Sequence, residues 1–465
     1  MADARLKLDP KTEYQRFEGI GASGAWWAQL VGGWAHPDPA SDLPTCERIA
    51  QLLFSKTQGI GLRAYRYNIG AGSADSGRGD ISMALRRTHS PETPDGKIDL
   101  DLDRNAVHMA ELAVQYGADE LVLFVNSPPE RLTKNGKAHC DKGFPPKENL
   151  ARANYAAFAA FCLDVTQAFL RRGLPVTSLS PINEPLWVWT GGQEGCHYRP
   201  RSAGKLMQVF AQAMAQRPAL DGVRLAGLEN GDIRWFNKSY ARALLRDPAV
   251  RSRIDAVDIH SYFLQPVSVP FFSRRPPYLR RFRRWMARHA PDKQIRVSEW
   301  CHMQGGRDPG MDSALVMAQV MQEDLTILNA SAWQHWIAVS EVDFCDGLIY
   351  IEQDEGTFSM TKRYYATGNY SKYIPYGAVR IKADCGDPAL RVAAFRKDGG
   401  VTAVVINPTH SAVPLTLPAG AHTLIVTDEN ENLQPHPAQG AQAVLTPRSV
   451  TTILIHENEP GEETA

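Results

Sequence analysis

The sequence predicts an α/β chain: a (β/α)8 TIM barrel carrying a C-terminal β-sandwich side domain. Three observations predict it. Eight short apolar runs alternate with longer amphipathic stretches. Two of those runs lead into Asn-Glu-Pro and Ser-Glu-Trp. Beyond about Tyr373 the helical periodicity stops and short strand-type runs take over. Strand–helix alternation repeated eight times is the pattern of a parallel barrel, and regular short strands with turn residues between them are that of a sandwich.

Taken in order, the barrel strands are expected at 17–23, 62–68, 121–126, 178–183, 224–229, 256–260, 294–299 and 331–336. Helices are expected at 46–53, 104–116, 150–172, 204–217, 240–246, 278–289 and 312–328. In the third of these, Tyr155, Phe158, Ala159, Cys162, Val165 and Phe169 fall on one face. The later strands are expected at 378–382, 390–395, 401–407, 413–417, 422–427 and 449–456, with 6–8 joining them. Residues 14–373 are therefore assigned to the barrel, 1–13 with 374–460 to the side domain, and 461–465 to a fraying tail.

Lys+Arg and Asp+Glu both number 51, so the formal net charge is zero. A zero balance gives no support to a nucleic-acid or membrane partner and points to a neutral solute. Ten Trp, 15 Tyr and 16 Phe are available to stack on one. No apolar run reaches the roughly 18 residues that cross a bilayer. Residues 1–10 lack the basic start and apolar core of a signal peptide, which leaves a cytoplasmic chain or a secreted mature form. Seven widely spaced Cys with no Cys-x-x-Cys read as buried thiols rather than a disulfide framework or zinc site.

Gly19-Ile-Gly-Ala-Ser-Gly24 matches G-x-G-x-x-G. A dinucleotide site needs an apolar strand before the motif and a helix opening at it. Here Tyr14-Gln-Arg-Phe-Glu18 precedes and Trp26-Trp27 follows, so the segment reads as a glycine-rich first strand with both Trp at its C-terminal end. No cofactor is expected.

The strongest signal is Ser180-Pro-Ile-Asn-Glu184-Pro185. Proline removes the next backbone donor and stops strand pairing, so Glu184 is delivered at a strand's C-terminal end, the functional face of a barrel. Ile295-Arg-Val-Ser-Glu299-Trp300 does the same 115 residues later, three strands on. Glycosidic cleavage needs two carboxyls on facing strand ends, one to protonate the leaving oxygen and one to attack or stabilise the anomeric carbon.

Further segments resemble glycoside hydrolase family 30. They are Gln15-Arg-Phe-Glu-Gly-Ile-Gly21 with Trp26-Trp27, Arg63-Ala-Tyr-Arg66-Tyr-Asn68-Ile-Gly70, and Asn126-Ser-Pro-Pro129. Gln193-Glu-Gly-Cys196, Trp333-Gln-His-Trp336 and Gly368-Asn-Tyr-Ser-Lys-Tyr373 complete them. Within the family, the Trp pair and Gln-Glu-Gly-Cys are most similar to the endo-β-1,6-galactanases. Relatives usually follow Ser-Pro-Pro with an aromatic residue and Met, where this chain has Glu130-Arg131-Leu132.

The resemblance implies a retaining enzyme with Glu184 as acid/base and Glu299 as nucleophile, and Asn183 on the sugar 2-hydroxyl. Glu184 must then hold a proton near neutrality while Glu299 stays ionised. Arg66, ending strand two, is expected to pair with Glu299. His260 and Tyr262 end strand six, and Tyr262 is placed to donate to the nucleophile. Asn126 is expected at the substrate. Glu229, ending strand five, reads as a substrate contact or a surface charge. Trp26, Trp27, Trp187, Trp333 and Trp336 are candidates to line the sugar site, since a flat indole covers the C–H face of a pyranose.

The expected activity is hydrolysis of β-1,6-galactosidic bonds in galactan, arabinogalactan side chains or their oligosaccharides. The same fold on another β-glycan (a β-1,6-glucan, a xylan, a glucoside or a fucoside) is the nearest alternative, and a non-catalytic glycan-binding protein a further one. No metal is expected; a metallohydrolase would need His260, His302 and His335 to converge at the barrel mouth. The sequence leaves oligomeric state open.

Overall fold

The computed structural model describes residues 4–234, 237–262 and 275–456. The expected tail lies outside them. Eight parallel strand positions curl into a barrel-like sheet: Gly19–Ser23, Ala64–Asn68, Glu120–Phe124, Val176–Ser180, Arg224–Leu225 with Leu228–Asn230, Ala256–His260, Gln294–Trp300 and Ala330–His335. Each pairs with its chain-order neighbour, and the eighth pairs with the first. The glycines of the first strand serve that closure: a Cβ on Gly21 would lie 2.6 Å from the Ala64 side chain. Close packing, not phosphate binding, accounts for this part of the glycine motif.

The fifth strand is in two pieces. Arg224–Leu225 pairs with strand four and Leu228–Asn230 with strand six, so the parallel ladder is open there. Between the pieces Gly227 takes φ 134°, a conformation reserved for glycine. Its N–H donates to the buried Asp258 carboxylate at 3.1 Å.

Helices lie outside the strands, as the periodicity predicts. Arg104–Tyr116 has its expected bounds, and Tyr155–Arg171 begins five residues late because a 3-10 turn, Arg152–Asn154, precedes it. Pro200–Ala215 starts at a proline, whose missing N–H costs nothing in a first turn. Met311–Glu323 runs on into a π-helical turn, Asp324–Leu328. That turn carries a buried Asp324, held by Ser261, Arg275 and the Trp333 indole.

Beyond the barrel, Lys7–Arg16, Val379–Asp384, Arg391–Lys397, Gly400–Asn407, Ser449–His456, Ala421–Thr427 and Gln434–Pro437 form an antiparallel seven-stranded sheet in that order. A three-stranded sheet of Ala4–Arg5, Val413–Thr416 and Gln442–Leu445 faces it, and Leu6, Ile381, Val405, Leu415 and Ile453 are buried between. The start of the chain thus enters both sheets. Phe395, Val404 and Val450 bury the other face of the large sheet against the barrel core. The two short strands Gln434–Pro437 and Gln442–Leu445 escape the sequence reading because proline and polar residues interrupt their alternation. No helix among the described residues is long and apolar enough to cross a membrane.

Candidate active site

The C-terminal ends of the barrel strands bring together five ionisable side chains. Strand two delivers Arg66, strand five Glu229, strand six His260 and strand seven Glu299; Glu184 follows strand four. All are buried. Alternation along Ala64–Asn68 turns Arg66 and Asn68 inward while Tyr65 and Tyr67 meet the aromatic rings of Phe54 and Phe169. Strand seven needs more than alternation. Arg296 reaches Glu18 at the opposite end of the strand, so Glu299 has the wrong parity to share its face. A register shift against strand six between Val297 and Glu299 re-aims it. Glu184 and Glu229 both adopt the left-handed region, at φ 42° and 46°. Strain of this kind on two adjoining strand ends marks a site where geometry is held against local preference.

Arg66 Nη1 donates to Glu299 Oε2 at 3.2 Å, and its Nη2 pairs with Glu229. His260 Nδ1 lies 3.0 Å from Glu184 Oε1 and 3.3 Å from Glu299 Oε1, and Nε2 lies 3.1 Å from Glu229 Oε2. Both ring nitrogens face carboxylate oxygens, so the imidazolium is the favoured form. Burial opposes that charge, but Glu299, Glu184 and Glu229 outweigh it and push the His260 pKa up to about 10. Tyr262 donates to Glu299 Oε1 at 3.1 Å.

Three carboxylates therefore share two cations. Burial raises the Glu299 carboxyl above its ordinary range; the His260 charge opposes this, Glu184 adds to it and Arg66 opposes it. For Glu229 burial is overcome by Arg66 and His260, which hold its carboxyl below the usual range. Glu229 is thus neither a surface charge nor an open substrate contact: it is 1% exposed and both its partners are side chains of the site.

An oxygen of Glu184 and one of Glu299 lie within 4.8 Å. Two carboxyls that close can act as proton donor and nucleophile on one glycosidic bond. Glu184, His260 and Glu299 also form the one metal-sized cluster among the described residues. Its donor set fits a cation poorly, because a protonated His260 has no lone pair and Arg66 already lies on Glu299. His302 instead meets the Ser313 hydroxyl, and His335 the Asp346 carbonyl.

Asn183 Nδ2 donates to Asn126 Oδ1 at 2.9 Å, and Asn126 Nδ2 to Asn68 Oδ1 at 3.1 Å. This relay leaves Asn183 Oδ1 buried with no protein partner. Asn68 was not among the residues singled out, although it sits two positions after Arg66 on the same inward face. Gly231 was also missed: a Cβ there would lie 2.6 Å from Glu184 Oε1 and collide with the Trp187 indole. Trp187 therefore borders Glu184.

The other tryptophans divide. Trp26 and Trp336 meet edge to face at 5.1 Å, with Phe124 beside Trp336 and Arg86 over Trp26. The Trp26 indole N–H has no protein partner. Trp333 and Trp27 do not line the mouth. Trp333 is fully buried, donates to Asp324 at 3.1 Å and packs at a tilt against Trp300; strand parity turns it to the helix layer. Trp27 donates to the Ser23 carbonyl and packs on Tyr65 in the core. The Glu130-Arg131-Leu132 segment forms a 3-10 turn, with Glu130 on Arg78, Arg131 on Glu92 and Leu132 buried.

Residues 3–350 match O-glycosyl hydrolase family 30. The chain belongs to that family. It is 25% identical over 400 residues, 81% of its length and 76% of the relative's, to a protein of Hypocrea rufa named endo-beta-1,6-galactanase. A conserved exported protein from Bacteroides fragilis superposes with a TM-score of 0.86 at 23% identity, over 97% of this chain and all of that one. A family 30 endoxylanase from Clostridium papyrosolvens C71 does so with a TM-score of 0.70 at 17% identity, over 97% and 100%. The chain is therefore an O-glycosyl hydrolase, and Glu184, His260 and Glu299 form its candidate acid–base cluster.

Proposed function

We propose that this family 30 enzyme is a retaining β-glycosidase that cleaves β-1,6-galactosidic bonds in galactan, arabinogalactan side chains or their oligosaccharides. The observation that carries the mechanism is the Glu184–Glu299 pair, with carboxylate oxygens within 4.8 Å and a shared His260 between them. The substrate rests on the relative named endo-beta-1,6-galactanase and on the Trp26-Trp27 and Gln193-Glu-Gly-Cys196 segments. In this reading residues 14–373 are the catalytic unit and 1–13 with 374–460 the side domain.

Glu184 and Glu299 hold one exchangeable proton between them, since Arg66 and His260 neutralise two of three carboxylates. Glu299 has Arg66, Tyr262 and His260 to stabilise its ionised form, whereas Glu184 has His260 alone, so the reactive state puts the proton on Glu184. The Glu299 carboxylate attacks the anomeric carbon as Glu184 protonates the departing oxygen. The glycosyl ester carries no charge, which frees Glu184 to accept a proton from the water that cleaves it. Asn183 Oδ1 accepts from the sugar 2-hydroxyl, and its amide is fixed by Asn126 and Asn68. Trp26, Trp336 and Trp187 cover the sugar face.

Product analysis with de-arabinosylated β-1,6-galactan, beside β-1,6-glucan and xylan, tests the substrate. Galactose or β-1,6-galactobiose from the galactan alone is the expected result; release from another glycan only would discard galactan and keep the mechanism. Glu184→Gln should lower turnover about 10²–10⁴-fold with sugar binding retained. Unchanged hydrolysis would remove Glu184 from the mechanism.

A further inference from the structure

The zero net charge hides an uneven distribution. Three neighbouring helices on the barrel's flank, Pro200–Ala215, Asn237–Leu245 and Arg275–His289, pack side by side. Lys238, Arg242 and Arg246 follow one another at four-residue spacing, and so do Arg280, Arg284 and Arg288. That spacing is about 6 Å along a helix, so each set makes a straight row on one face. Arg201 and Lys205 supply a third row on the first helix. All are exposed except Lys238, which is half-buried.

Elsewhere on the barrel Arg172 pairs with Asp101 and Glu111, Arg217 with Asp164, Arg224 with Asp255 and Arg251 with Asp292, while exposed Arg104, Arg152 and Arg171 are not grouped at four-residue spacing. None of the eight cations in the three rows has an ion-pair partner among the described residues. Burial and the charges of Arg281, Arg242 and Arg284 together hold Lys238 below the usual ammonium range, which is the signature of crowded like charge. Between the first two helices runs a groove of about 860 Å³, lined by the cations Arg201, Lys205, Arg242 and Arg246 and by one carboxylate, Asp247, which accepts from Gln208. Its floor is tight, for a Cβ on Gly204 would lie 2.9 Å from the Ala243 carbonyl.

We propose that this groove and the rows beside it bind an acidic polysaccharide strand, a glycan carrying carboxylates along its length, at a site separate from the catalytic centre. A cluster of unpaired cations attracts an anionic partner, and guanidinium groups take carboxylates bidentately. The concave groove suits a strand. A lipid surface is flat and is held more firmly when apolar side chains enter it, whereas this site is a groove and none of the exposed large apolar residues lies on these helices. Single-stranded nucleic acid would need exposed aromatic rings, and Tyr240, Phe282 and Trp285 are buried.

The test is binding of the full chain to polygalacturonate, with anionic phosphatidylserine vesicles and duplex DNA in parallel. The wild type should bind polygalacturonate, more weakly as salt rises. Arg242→Glu combined with Arg284→Glu should weaken that binding at least about tenfold. A charge-matched control, Lys7→Glu with Lys11→Glu on the side sheet, should leave it unchanged. Turnover of a neutral galacto-oligosaccharide by the groove variant should equal the wild type, which verifies its fold; should no glycan be cleaved at all, thermal unfolding serves that purpose and the binding result still stands. No binding, equal loss in both variants, or tighter binding to vesicles or DNA overturns the proposal.

Discussion

The two ends of the barrel treat buried charge in opposite ways. At the N-terminal end carboxylates lie on guanidiniums: the partly buried Glu18 takes a two-pronged contact from Arg296 at 2.7 and 3.0 Å, and the buried Glu120 takes Arg63 at 3.0 Å; the buried Asp258 between the two ends has a backbone donor instead, the Gly227 N–H. Burial works against the Glu18 charge, but Arg296 outweighs it and holds the carboxyl below its ordinary range. At the C-terminal end Glu184, Glu229 and Glu299 divide Arg66 and His260 among them. At the first end Glu18 and Glu120 each lie on a guanidinium, and the second end is one cation short. A saturated pair fixes strands in register; a deficient cluster keeps a proton that can move. The same residue types on the same sheet become structure or chemistry according to that count.

The largest break in this comparison comes from Glu299→Gln. Turnover should fall about 10⁴-fold or more, read as kcat on the cleaved oligosaccharide, while the urea midpoint stays near the wild-type value. Arg296→Met attacks the other end. It should cost about 3 kcal/mol in urea unfolding, the low side for breaking a buried pair because Glu18 keeps some contact with water. Turnover per folded molecule should not change; a comparable loss of kcat would show that the two ends are not independent.

His260 sharpens the contrast through pH. Its pKa is about 10 in the folded chain against an ordinary 6.5, so its contribution is complete below pH 6.5 and is lost as pH rises towards 10. Thermal unfolding of the wild type should decline across that window, and His260→Gln should flatten the decline. An unchanged profile would mean that His260 carries no proton. The smallest effects separate the tryptophans. Trp333→Phe leaves Asp324 short of a donor and should cost about 1–3 kcal/mol with KM unmoved. Trp336→Ala should raise KM instead. Equal KM changes would return Trp333 to the sugar site.

Much of this was legible in the sequence. Every barrel strand position followed from apolar runs, and strand six, Ala256–His260, matched to the residue. Glu184 and Glu299 were legible because both close a short strand, one before proline and one before Trp. What escaped needs information from other strands. Trp333 and Trp336 look alike in composition, but Trp333 lies within the strand Ala330–His335 on its helix-facing side, and Trp336 follows the strand's end, where it meets Trp26. The bulge that re-aims Glu299 was not available, because it exists only relative to strand six. Glu229 reads as an ordinary strand-end acid until Arg66 and His260, 163 and 31 residues away, arrive on it. The basic flank was hidden by an average, since equal totals say nothing about position.

The split fifth strand gives the rolled sheet a seam. Its lower half is stitched to strand four and its upper half to strand six, and the change of partner falls between Ala226, which donates to the Leu179 carbonyl, and Gly227, whose carbonyl accepts from Asp258. Cutting the peptide bond between Ala226 and Gly227 would sever the chain without removing one pair from either ladder. A protein nicked there is expected to travel through gel filtration as a single species, its halves clasped by every strand pairing they had before. The place where the barrel looks least finished is thus the place where its covalent continuity matters least.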